Sequence, residues 1–113
     1  MHEFSVTKSL VDLCNQEADK NNMEKVYKIH LKVGKFTGFS ADSIEFYFEH
    51  LKVNTKCRDA CIAFEEIPIR IKCHDCRKEY TIEEPVLLCP TCGSDKIDLI
   101  SGREFYVASI EGE

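Results

Sequence analysis

Cys73-His74-Asp75-Cys76 and Cys89-Pro90-Thr91-Cys92 stand twelve residues apart in a chain of 113, in the pattern C-x2-C-x12-C-x2-C. Two residues between thiolates allow a tight turn that aims both sulfurs at one ion and backbone N–H groups at the sulfurs. Twelve intervening residues suffice for a short hairpin that brings the second pair round. The expected product is a tetrahedral S4 site, which suits Zn2+. Cys73, Cys76, Cys89 and Cys92 fill all four positions, so the zinc is read as structural, with no open position for water. Iron in a four-thiolate cage is the competing metal. Gly93 supplies the left-handed residue that such a knuckle wants. His74 is read as a solvated loop residue, the alternative being a histidine near the metal that tunes the knuckle with pH.

Outward from the knuckle, the chain alternates between two periods. Residues 3–21 repeat apolar positions at Val6, Leu10, Leu13 and Cys14, which predicts a helix ended by Asn21-Asn22. Lys25 to Gly34 alternates, with Tyr27, Ile29, Leu31 and Val33 on one face and Lys28, His30 and Lys32 on the other, a half-buried strand. Ser40 is a good N-cap for a second helix, whose stripe is Ile44, Tyr47, Phe48 and Leu51 and whose end is Asn54-Thr55. Cys61 to Ile71 reads as a second strand with a bulge at Glu65-Glu66, and Pro68 favours an edge or that same irregularity. Arg103 to Ile110 reads as the third. The expected fold is α+β: a three-stranded antiparallel sheet covered by two helices, with an inserted four-cysteine zinc-ribbon module.

Composition excludes several classes. The chain is 43% apolar and 31% charged with net charge −5. That is a globular composition, and a poor one for sequence-independent binding of duplex nucleic acid. From Cys73 to Ile100, Arg77, Lys78 and Lys96 face six carboxylates, so the knuckle itself repels phosphate. No apolar run exceeds five residues, which leaves nothing to span a membrane. The start lacks the basic and apolar features of a secretory signal, so a reducing cytoplasm is expected. There the cysteines are metal ligands or free thiols before they are disulfides. Of the remaining three, Cys14 lies on the apolar face of the first helix, and Cys57 and Cys61 are read as structural or free.

Met1-His2-Glu3 is a second candidate site. A free α-amine, an imidazole and the intervening backbone nitrogens can close small chelate rings in one plane, coordination that suits Ni2+ or Cu2+ rather than zinc. A Met-His start alone is weak grounds for a site. Its context is more specific. The Met-His-Glu start leads into an amphipathic helix. The strand ending in Val33-Gly34, the helix from Ser40, the CxxC…CPxCGS cage and Ser101-Gly102-Arg103-Glu104 follow in order. Over essentially the whole chain this resembles the hydrogenase-maturation nickel metallochaperones, the HypA/HybF family. The segment Asn54-Thr55-Lys56-Cys57 departs from it by lacking a Gly-Thr turn common there.

The resemblance implies nickel at Met1, His2 and Glu3, through the amine of Met1, the ring and backbone nitrogens of His2 and the backbone nitrogen of Glu3. It implies structural zinc at Cys73, Cys76, Cys89 and Cys92. The domains would be a nickel-binding α/β domain of residues 1–71 with 104–113 and a zinc-binding domain of residues 72–103. The implied role is carriage of Ni2+ to the large-subunit precursor of [NiFe]-hydrogenase, with a maturation GTPase as partner and urease as a further recipient in some relatives. The alternative is a zinc-ribbon protein-interaction module without nickel transfer. An enzyme has the least support, since HExxH, GxSxG and a Gly-rich phosphate loop are missing. Lys28, His30 and Lys32 form a small basic strip, read as a solvated sheet face. Phe36 and Phe39 serve either the core or a protein contact.

Overall fold

The computed structural model describes residues 3–113. Helix α1 (Glu3–Lys20) is followed by strand β1 (Val26–Gly34), a single 3-10 turn (Lys35–Thr37) and helix α2 (Ala41–Leu51). Strands β2 (Cys61–Ile67), β3 (Ile69–Cys73), β4 (Glu79–Ile82), β5 (Ile97–Ser101) and β6 (Phe105–Gly112) complete the chain. They form two three-stranded sheets, ordered β2-β1-β6 and β4-β3-β5. The molecule is thus an α+β fold of two helices, antiparallel sheets and a four-cysteine group. No helix among the described residues is long and apolar enough to cross a membrane.

Two compact units share the chain. The first comprises residues 1–31, 39–65 and 106–113, the second residues 32–38 and 66–105. In the first, α1 and α2 pack on each other. The inner face of α1 is Thr7, Leu10, Val11, Cys14 and Ala18. Leu13, expected on that face, is 46% exposed. The stripe through residues 7, 11, 14 and 18 leaves position 13 about 130° off the helix's buried side, and Val11 takes its place. Among the described residues Thr7 is the one buried polar side chain, and its hydroxyl is satisfied by donating to the carbonyl of Glu3 at 2.6 Å. Ile44 and Phe48 are the buried positions of α2.

The helix ends follow local chemistry. Asn22 adopts a left-handed φ of 56°, and the Asn21 amide donates to the Glu17 carbonyl at 2.7 Å, so the last turn of α1 is closed. Ser40 is extended and its hydroxyl accepts from the Ser43 N–H, an N-cap for α2. Ser40→Ala should therefore cost about 1 kcal/mol, read as a lower denaturant midpoint with an unchanged slope.

β1 buries Val26, Ile29, Leu31 and Val33. Tyr27, expected with them, is 42% exposed, and its hydroxyl hydrogen-bonds Glu113 at the chain end instead. Lys25 and Glu113 exchange both backbone hydrogen bonds, which fixes β6 antiparallel to β1.

The strand expected over residues 61–71 is two strands. The break falls at Pro68 and not at Glu65-Glu66, because proline has no N–H to give a ladder. β3 then belongs to the second sheet, pairing Ile69 with Ile82 and Ile71 with Tyr80 of β4, and Ile71 with Leu99 and Cys73 with Ile97 of β5. A register shift lies between Arg70 and Ile71. Its alternation is strict: Ile69, Ile71 and Cys73 are buried, Arg70 and Lys72 exposed. In the same unit Gly34 lies against Gly102, where a Cβ on Gly34 would come 1.9 Å from the Gly102 carbonyl oxygen. Phe36, half-buried, sits under the Arg103 guanidinium at 5.2 Å.

Candidate metal centre

β3 delivers Cys73 at its last position, and the chain turns at once. The Cys76 N–H points to the Cys73 sulfur at 3.5 Å, and the Cys92 N–H to the Cys89 sulfur at 3.4 Å. The two knuckles repeat one geometry. In each, the first cysteine's N–H donates to the carbonyl five residues on, Cys73 to Lys78 at 3.0 Å and Cys89 to Ser94 at 2.9 Å. In each, the residue after the second cysteine is left-handed, Arg77 at φ 59° and Gly93 at φ 73°. Gly93 meets that need without strain, whereas Arg77 holds the same conformation against its Cβ.

The four sulfurs converge, all within 4.8 Å of one another. Cys73 and Cys92 are 3.6 Å apart and Cys76 and Cys89 3.7 Å. A tetrahedron with metal–sulfur bonds of about 2.3 Å has edges of about 3.8 Å, so the set can hold one metal ion. The N–H groups also favour the charged form of the sulfurs. The Cys92 N–H draws the Cys89 thiol down to about 6. Backbone N–H groups aimed at a sulfur stabilise a thiolate, the form that binds metal.

Tyr80 completes the surroundings. Its hydroxyl lies 3.4 Å from the Cys76 sulfur and 3.0 Å from the Thr91 hydroxyl, so one phenol bridges the two knuckles. A thiolate accepts only, so the phenol proton then points at sulfur and Thr91 donates to the phenol oxygen. The contact lowers the Cys76 thiol and pushes Tyr80 up to about 12. Neither Tyr80 nor Thr91 is a candidate by sequence. The signal available is an aromatic hydroxyl inside the twelve-residue spacer, on a strand whose alternation places it half-buried opposite Ile71. Tyr80→Phe should keep the fold and speed loss of the ion to a chelator by several-fold, a change that a stopped-flow chelator assay resolves. One hydrogen bond to a charged acceptor is worth about 1.5–3 kcal/mol at most.

The other candidates separate. His74 is exposed, with its ring 2.8 Å from the Asp98 carboxylate. His30 of the basic strip is engaged by Glu111, which holds that carboxyl below its ordinary range. Met1 and His2 lie outside the described residues. Glu3 opens α1, and its carboxylate accepts the Ser40 N–H at 2.7 Å, the residue that caps α2.

Fold and cysteine group together define a small α+β protein that carries, among the described residues, one four-cysteine group able to hold a metal ion. Residues 1–112 match the family described as hydrogenase/urease nickel incorporation, metallochaperone, hypA. The hydrogenase maturation factor HypA of Moorella thermoacetica is 34% identical over 113 residues, with all of both chains covered. That of Caldanaerobacter subterraneus is 37% identical, again over the full length of both. The solution structure of the Ni metallochaperone HypA from Helicobacter pylori superposes with a TM-score of 0.71 at 25% identity, covering 99% of this chain and 97% of that one. The chain belongs to the HypA family of nickel-incorporation metallochaperones.

Proposed function

We propose that this protein carries Ni2+ on its first three residues and delivers it to the large-subunit precursor of [NiFe]-hydrogenase in the cytoplasm, with the maturation GTPase as partner. Urease is the second recipient the family description admits. The observation that carries this reading is the family match that starts at residue 1 and runs through residue 112. Nickel takes the amine of Met1, the ring and backbone nitrogens of His2 and the backbone nitrogen of Glu3. Zinc takes Cys73, Cys76, Cys89 and Cys92, with residues 72–103 as the zinc-binding domain and residues 1–71 with 104–113 as the nickel-binding domain.

Physical chemistry supports the nickel assignment. Glu3 is the first residue of α1, and the first N–H groups of a helix have no carbonyl partner within it. That end of a helix also favours negative charge, which eases loss of an amide proton. The Glu3 carboxylate is already committed to Ser40, which leaves the backbone nitrogen as that residue's donor. A site on a chain end, unlike a closed cage, can hand its ion over by stepwise ligand exchange. The ligands must be deprotonated, so affinity falls as pH drops through the ordinary imidazole value of about 6.5.

The test is calorimetric titration of nickel into zinc-loaded, untagged protein and into His2→Ala. The reading predicts a loss of roughly 100-fold or more, about 3 kcal/mol, with the zinc content unchanged. Equal binding by the two proteins would favour an interaction module without nickel transfer.

A further inference from the structure

Helix α2 turns an aromatic face away from the core. Ile44 and Phe48 are its buried positions. At about 100° per residue, Phe46 and His50 fall on the opposite side, and Val53, in the turn that follows the helix, extends their line. Phe46 is 61% exposed and Val53 58%. The rings touch in series. Phe46 meets His50 edge-on at 4.8 Å and Tyr47 at 5.4 Å, and Tyr47 meets Phe4 of α1 at 5.5 Å. Four rings therefore form one chain across both helices of the first unit. Exposed apolar patches with a polar rim mark interaction sites, and aromatic anchors carry much of the binding energy there.

The rim carries one sign of charge. Asp42, Glu45 and Glu49 are exposed along one edge of this face. Lys52 sits 2.9 Å from Glu49, but its side chain is only 14% exposed and also donates to the Ala60 carbonyl. Asp42 and Glu45 have no ion pair among the described residues. This rim narrows the occupant. A second copy would bring no lysine or arginine to those carboxylates. An anionic membrane or a nucleic acid would be repelled. The surface that buries the rings and also answers the rim carries apolar side chains beside Lys or Arg. The spacing 46, 50, 53 is helical and spans about 10 Å, which a second helix matches by ridge-in-groove packing.

We propose that the outer face of α2, together with Phe4, is a docking surface for a basic amphipathic helix of a partner protein. Phe46 and Tyr47 are the anchors. Asp42 and Glu45 select the partner by charge and set its orientation. Phe4 follows the proposed nickel ligands directly in the chain, so a partner seated here is placed for exchange of the ion. That consequence rests on the nickel reading, whereas the docking does not.

The experiment titrates 15N-labelled, zinc-loaded, nickel-free full-length protein with a synthetic peptide of about four helical turns. Its leucines recur at i, i+3, i+4 and i+7 with lysines elsewhere; a second peptide carries glutamate for lysine. The expected result is saturable amide shifts confined to Phe4 and residues 42–54, with the glutamate peptide binding roughly 10-fold more weakly or worse. Phe46→Ala removes an exposed ring, so the fold is kept, and should weaken the lysine peptide roughly 10-fold. Glu45→Lys with Glu49→Lys should reverse the preference in favour of the glutamate peptide; Asp42 is left in place because it serves the first turn of α2. Shifts centred elsewhere, equal binding of the two peptides, or an unaffected Phe46→Ala would overturn the proposal. So would concentration-dependent shifts on this face without peptide, which would give it to a second copy. With nickel absent, failure here leaves the nickel reading untouched, and the His2→Ala titration can fail without touching this surface.

Discussion

Cys76→Ala should abolish metal binding by the four-cysteine group and unfold residues 66–105. The second unit has little else to hold it. Among the described residues its buried apolar side chains are Val33, Ile69, Ile71 and two of the cage cysteines themselves, Cys73 and Cys89. Its strands β4 and β5 are short, with four and five residues. Structural zinc sites contribute apparent free energies of about 10–16 kcal/mol at pH 7 in small peptides, as large as the whole stability of an ordinary domain. Removing one thiolate strands three others around an incomplete shell. Elemental analysis should fall from one zinc per chain to none, and amide protection should vanish across β3, β4 and β5. Cys61→Ala, an exposed cysteine outside the group, should keep both. A zinc-free Cys76→Ala protein with protected β3 amides would contradict the structural role.

The second large effect concerns the chain start. Four residues, Gly-Ser-Gly-Ser, placed before Met1 should abolish planar nickel binding while leaving zinc and fold intact. The extension turns the α-amine of Met1 into an amide and moves the free amine out of chelate range of the His2 ring. A single added residue is the wrong control. It places histidine third, where an amine, two amides and an imidazole can again surround the ion in a plane. The expected readout is loss of the charge-transfer and d–d absorption of low-spin Ni2+. Persistence of that absorption at unchanged affinity would remove the amine from the site.

Much of this is legible in the sequence because the physics is periodic. The helices show themselves by a 3.6-residue stripe, β1 by alternation, and the cage by spacing alone. Leu13 and Val11 are easily interchanged because both fit a helical stripe, and only packing against α2 and the sheet chooses between neighbouring positions on the wheel. The second sheet is not legible as a sheet. Glu79-Tyr80-Thr81-Ile82 offers two apolar positions, too few for alternation to stand out, and β3 hides in the run that begins at Cys61. Pro68 is visible, but whether it ends a strand or bends one depends on β4 and β5, which lie further along the chain. The bridging role of Tyr80 depends on a fold in three dimensions that brings its hydroxyl to Cys76 and Thr91 together. The proposed nickel ligands stand in the sequence as a chelating tripeptide, and it is the resemblance of the whole chain that singles that tripeptide out.

X-ray absorption at the nickel edge, on zinc-loaded untagged protein with one equivalent of Ni2+, tests the central claim most directly. The account predicts a four-coordinate planar spectrum with nitrogen scatterers only, converted by His2→Ala to that of nickel in water. A six-coordinate spectrum, or sulfur in the nickel shell, or an unchanged spectrum in His2→Ala, would contradict it.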